Sequence, residues 1–172
     1  YLDNGAIFQI RYLDFGPTSI FVRAYHATNL IDRRIIAYNA GQVTRVQSKL
    51  NAAGVPLANV NFVLRQTDDC WVRDNGPIFV RSAAGALAVT DWGFNGWGLD
   101  TRYAKDNTVP AGVASALGLH RVDLNGTVLE GGAIEVDGRG VLMATRSSIL
   151  EPKRNPGLTQ AQLETILTAN LG

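Results

Sequence analysis

Three stretches of the chain run through the same order of elements, and that repetition limits the possible folds more than any single motif does. In the first stretch, Ile7 to Ile10 and Ser19 to Arg23 read as strands, separated by the turn residues Gly16-Pro17. A helix follows from about Asn39 to Ala53, with Val43, Val46 and Leu50 on one face and Gly54 placed to end it. Val60 to Leu64 then closes the unit as a buried strand.

The second stretch begins with Ile78 to Arg81, turns at Ala84-Gly85 and returns through Leu87 to Thr90. Its helix spans Thr108 to Leu117, with Asp106 or Asn107 as cap, Pro110 in the first turn, Val109, Val113 and Leu117 inward, and Gly118 as the stop. Arg121 to Leu124 closes it. In the third stretch Ala133 to Val136 and Val141 to Thr145 flank Asp137-Gly138, a strong hairpin signal. Asn155-Pro156 breaks the chain, and Thr159 with Gln162 forms a capping box for a helix carrying Leu163, Ile166 and Leu167. A repeat of strand, strand, helix, strand at ~60 residues suits radial or stacked architectures, whose units bury their faces against neighbours. The expected fold is therefore α/β and propeller-like, with two complete units and most of a third, a closing strand being absent after the last helix. We expect residues 1–172 to be an incomplete piece of one larger α/β propeller-like domain.

Composition narrows the function. With 172 residues, 46% hydrophobic and 18% charged, the chain suits one sizeable core or part of a larger one. A net charge of +1 without a Lys/Arg cluster gives no footprint for nucleic acid. No apolar run approaches the ~20 residues of a membrane span. A single cysteine, Cys70, cannot form an internal disulfide, and the separated His26 and His120 offer no metal-ligand set, so neither a metal nor another cofactor is expected.

The chemistry gathers in three loops. Thr67 to Pro77 crowds Asp68, Asp69 and Asp74 around Trp71 and Arg73. That mixture suits a flat organic cation, since carboxylates accept paired N–H bonds and an aromatic face covers the plane. A solvated turn whose acids balance Arg65 and Arg73 is the plainer account. Asp91 to Gly98 sets Trp92 and Trp97 in a glycine-rich segment, as a ligand wall or as a cap on the core. Leu129 to Gly132 adds Glu130 beside two glycines that permit close backbone approach, or else form a simple bulge.

Together these loops resemble the agmatine deiminase family, within the group of guanidino-modifying enzymes that includes the bacterial peptidylarginine deiminases. The resemblance rests on Asp69, Trp71, Arg73, Asp74, Gly76 and Pro77, then on Asp91, Trp92, Phe94, Asn95 and Trp97. It continues through Glu130, Gly131, Gly132, Asp137, Gly138 and the step Arg154-Asn155-Pro156. Order and spacing agree from about Asn61 to Gly172, whereas the residues before Asn61 agree only in element order.

The resemblance implies a pseudo-fivefold α/β propeller (pentein) of ββαβ units, of which about two and three-quarters are present here. It implies a hydrolase that attacks a guanidinium carbon with a Cys thiolate, most simply turning agmatine into N-carbamoylputrescine and ammonia on the route to putrescine and the polyamines. Peptidyl-arginine is the alternative substrate. Asp74 would grip the guanidinium, Trp71 and Trp97 would line the substrate channel, and Glu130 would orient the catalytic His. The family's nucleophilic Cys and catalytic His fall beyond Gly172, so a second polypeptide or a C-terminal half is expected to supply them. A non-catalytic guanidinium-binding remnant is the competing class. Cys70, flanked by Asp69, reads as a packing residue because neighbouring negative charge disfavours a thiolate. His120 reads as structural. The resemblance implies a cytoplasmic enzyme that could form homo-oligomers, while the residues themselves leave secretion open.

Overall fold

A computed structural model describes the backbone of residues 7–8, 19–25, 32–58 and 60–172, and the side chains of residues 34–58 and 60–172. The expected turn at Gly16-Pro17, the end of the first strand at Gln9-Ile10, and His26 lie outside the described residues. The chain divides into two units, Tyr1–Val72 and Arg73–Gly172.

The first unit holds one four-stranded sheet in the order β1 (Ile7–Phe8), β2 (Ser19–Tyr25), β3 (Asp32–Ala37), β4 (Val60–Leu64). The first two junctions are antiparallel, and β3 pairs parallel with β4 across helix α1 (Ala40–Ala52). This corrects the first repeat. Its hairpin is β2–β3, with β3 entering the helix directly, and β1 is an added edge strand. The charged opening Asp32-Arg33-Arg34 hides the apolar Ile35-Ile36-Ala37 that follows. Asn39 caps α1, its side chain accepting from the Gln42 N–H at 3.0 Å, and Gly54 takes the left-handed turn beyond the end at φ 69°. Val46 and Leu50 lie one turn apart and pack on Ile35, with Val55, Leu57, Val60 and Phe62 around them. Each such burial is worth ~1.5–3 kcal/mol, enough to seat the helix on its sheet.

The second unit repeats the arrangement. The hairpin β5 (Ile78–Arg81) and β6 (Leu87–Gly93) is antiparallel, and β6 pairs parallel with β7 (His120–Val128). Between them runs α4 (Val109–Leu117), closed by Gly118 at φ 62°. Asp106 and Asn107 do not cap this helix. They form a 3-10 turn, Asp106–Thr108, and Asn107 Oδ1 instead accepts the Phe94 N–H. The cap position is Thr108, whose hydroxyl donates backwards to the Lys105 carbonyl and makes no capping bond to the helix.

Strand β6 extends three residues further than its alternation suggested, taking Asp91-Trp92-Gly93 out of the expected loop. Trp92 is core. Its indole N–H donates to Thr90 Oγ1 at 2.9 Å, and its rings join Leu129, Leu163 and Leu167 in the main apolar cluster of this unit. The hairpin β8 (Ile134–Val136) and β9 (Leu142–Ala144) forms as Asp137-Gly138 signalled, Asp137 Oδ1 accepting from the Arg139 and Val141 N–H groups. A short helix α5 (Arg146–Ile149) follows that the sequence did not announce. The capping box of Thr159 and Gln162 starts α6 (Gln160–Leu171), and this helix buries Leu163 and Leu167. Of the exposed apolar side chains among the described residues, Val136, Val141 and Met143 lie on or beside the β8–β9 hairpin. No described helix is long and apolar enough to cross a membrane.

Candidate functional site

Asp74 sits in α2 (Val72–Asn75), a single turn leading into β5. Both of its oxygens are held. Oδ1 accepts from the Gly132 N–H at 3.0 Å, and Oδ2 accepts from the Trp97 indole N–H at 3.1 Å. A carboxylate offers about four acceptor positions, so each oxygen keeps acceptor capacity beyond the bond it makes here. The approach of the two loops depends on glycine. A Cβ on Gly132 would strike the Asp74 carboxylate, and one on Gly131 would strike the Arg73 carbonyl oxygen.

Trp97 reaches Asp74 from α3 (Gly96–Leu99), a turn of the opposite hand. Its four residues carry φ of 66°, 57°, 95° and 73°. Leu99 and Asp100 donate four residues back, to the Asn95 and Gly96 carbonyls at 2.8 and 2.9 Å. Left-handed backbone costs an ordinary residue ~1–2 kcal/mol, and both Trp97 and Leu99 carry it. Asn95 braces the turn from both sides, accepting from the Gly98 N–H and donating to the Lys153 carbonyl at 2.9 Å. Phe94 meets the Trp97 ring edge to face, with centroids 5.1 Å apart.

Glu130 precedes the glycine pair and is only 3% exposed. A buried carboxylate needs a partner, and Arg154 supplies one, its Nε lying 2.7 Å from Oε1. The next residue, Asn155, is buried and spends its whole side chain on backbone. Its Oδ1 accepts from the Val128 N–H, and its Nδ2 donates to the Val128 and Ile149 carbonyls, all at 2.9 Å. Thus Arg154 holds the acid while Asn155 holds the strand end that leads to it.

The structure brings Asp74 and Trp97 into direct contact and ties them to Glu130 through the backbone of Gly131-Gly132. Trp71, exposed, belongs to the first unit, where Asp69 Oδ1 accepts the Cys70 N–H at 2.7 Å. Sequence reasoning noted Arg154 and Asn155 without assigning either a job. The available signal was physical: a buried acid beside a Gly-Gly step demands a cation, and Arg154 stands just before a chain break.

The sequence profile of Porphyromonas-type peptidyl-arginine deiminases matches residues 19–172. The chain belongs to this family. The agmatine deiminase of Pseudomonas fluorescens is 38% identical over 141 residues, which make up 79% of this chain and 37% of that protein. Among solved structures, the agmatine deiminase of Enterococcus faecalis superimposes with a TM-score of 0.67 at 27% identity, over 78% of this chain and 36% of that one. The agmatine deiminase of C. jejuni gives 0.61 at 27% identity, over 78% and 37%. The deiminase-family chain therefore spans little more than a third of the length of the relatives it matches.

Asp91, on β6, is a buried acid of another kind. It is 1% exposed, Arg121 Nε stands 2.7 Å from its Oδ2, and neither of its oxygens receives a well-aligned hydrogen bond. Burial pushes its carboxyl above the usual range, only partly opposed by Arg121 and Asn125. A raised pKa means that the folded form holds this proton more tightly than the unfolded form does. The stabilising contribution is complete below the ordinary aspartate range and is lost as pH rises through the folded value. Asp91→Asn removes it. In melts taken from pH 4 to 8, the variant should gain on the parent as pH rises; a difference independent of pH would show Asp91 to titrate normally.

Proposed function

We propose that this chain is the substrate-gripping part of a guanidino-group deiminase, acting on agmatine with water to give N-carbamoylputrescine and ammonia. The observation that carries the reading is the Asp74 carboxylate, held by Gly132 on one oxygen and Trp97 on the other. A guanidinium presents two parallel N–H groups, which match such a pair with charge-assisted bonds. Trp71 belongs at the channel wall. Glu130, neutralised on one oxygen by Arg154, orients the catalytic His of the complete protein. The Cys nucleophile and that His come from outside residues 1–172, as a C-terminal portion or a second polypeptide, and the chemistry calls for no cofactor. The complete fold is a pseudo-fivefold propeller, a reading supported by the matching orders β2-β3-α1-β4 and β5-β6-α4-β7.

Peptidyl-arginine is the second reading, favoured by the family whose profile matches. Ureido product formed from agmatine, free arginine and a peptidyl-arginine, measured side by side on the complete protein, separates the two. Turnover of none of them would leave a non-catalytic guanidinium-binding subunit. The chain of residues 1–172 should by itself show no turnover, because this reading places the nucleophilic Cys and its His outside these residues. Activity of this chain that is abolished by Cys70→Ser would overturn that.

A further inference from the structure

We propose that Trp97 is a positioning residue for Asp74, working through its indole N–H rather than as a wall against substrate. The inference rests on the reading of Asp74 as the guanidinium acceptor and adds the device that aims it. Three observations carry it. The indole N–H is already committed, 3.1 Å from Asp74 Oδ2. The backbone beneath it is strained, with Trp97 at φ 57° and Leu99 at φ 73° in a left-handed turn that short loops rarely tolerate. That strain is held in place by several independent contacts. Asn95 clamps both the turn and the 151–154 loop, Phe94 packs on the ring, and a Cβ on Gly96 would meet the Thr101 carbonyl at 2.5 Å. Strain that the surroundings over-determine marks a place where geometry is being enforced.

What is enforced is the carboxylate plane. The Gly132 N–H on Oδ1 leaves rotation about the side chain's last bond restrained at one oxygen only, and Trp97 fixes the second. With both oxygens held, the carboxylate plane is set before substrate arrives, so part of the ordering cost of binding has already been met by folding.

The test replaces Trp97 in the complete deiminase with 3-benzothienylalanine, which keeps the bicyclic shape but has sulfur where the N–H was. A positioning role predicts a ~10- to 100-fold fall in kcat/KM with an unchanged melting temperature. It also predicts little further loss when the same replacement is made in Asp74→Asn, since the two act as one unit. Full activity in the benzothienyl variant would overturn the proposal and return Trp97 to packing or to the channel wall. Additive losses would do the same.

A second readout needs no turnover and so separates this inference from the functional reading. The chain has three tryptophans, and Trp97→Phe assigns the Trp97 indole resonance in a 1H–15N spectrum. That resonance should be slow to exchange with solvent and should move on Asp74→Ala, while those of Trp71 and Trp92 stay in place. A Trp97 resonance indifferent to Asp74 sinks the inference even if the enzyme proves fully active. A complete protein that turns over no guanidino compound, yet shows the shift, would sink the functional reading alone.

Discussion

Replacing Asp74 by Asn should lower kcat/KM of the complete deiminase by at least ~100-fold, about 2.7 kcal/mol, with the fold intact. The geometry at Asp74 gives the reason to expect so large an effect from so small a change. Asp74 faces two donors, the Gly132 N–H on one oxygen and the Trp97 N–H on the other. An Asn side chain must turn its own NH₂ toward one of them, so one existing bond becomes a donor–donor contact. It also withdraws one of the two acceptors that a guanidinium would use and removes the charge that makes those bonds strong. Local geometry, charge and stoichiometry all fail at once, yet no apolar packing is disturbed. Circular dichroism should therefore be native. Near-normal turnover in the Asn variant would move the guanidinium role to another acid, with Asp68 or Asp69 the first to examine.

The largest expected effect on stability is at Asn155. Asn155→Ala strands three backbone groups at once, the Val128 N–H, the Val128 carbonyl and the Ile149 carbonyl. An orphaned buried polar group costs ~1–3 kcal/mol, so we expect a loss of about 3–5 kcal/mol, moderated by any water that enters. The urea midpoint should fall accordingly. Asn155→Asp offers a sharper comparison. It keeps the acceptor for the Val128 N–H but sets a carboxylate against two carbonyl oxygens, so it should do no better than Ala. If Asp restored wild-type stability, the two bonds donated by Nδ2 would be unimportant.

What the sequence revealed and what it hid divide along physical lines. Local signals held: the capping box at Thr159 and Gln162, the Asp137-Gly138 hairpin, the glycine stop at Gly118 and the apolar face of α1 each depend on neighbours a few residues away. The missed strand β3 begins with three charged residues, and pattern reading gives those more weight than the short apolar run behind them. Trp92 and Trp97 looked alike as letters. One ended in a strand and in the core, the other in a left-handed turn against Asp74, because the strand continued through Gly93. That continuation is set by pairing with β7, which lies beyond a helix. The Arg154–Glu130 and Asn155–Val128 pairs are 24 and 27 residues apart, distances at which only the folded backbone decides who meets whom.

Arg154 and Asn155 are consecutive, and this has a kinetic meaning. One residue restrains an acid and the other restrains the strand end just before that acid, so the loop cannot lift from one without straining the other. Local opening of this segment should then couple the two, Glu130 losing its counter-charge as Val128 loses its partners. A strand end that loosens while the acid stays in place should be a sparsely populated state. Fluctuations at the site should then be rarer and more complete than independent contacts would allow, with the time the acid spends correctly set following the lifetime of one small cooperative unit.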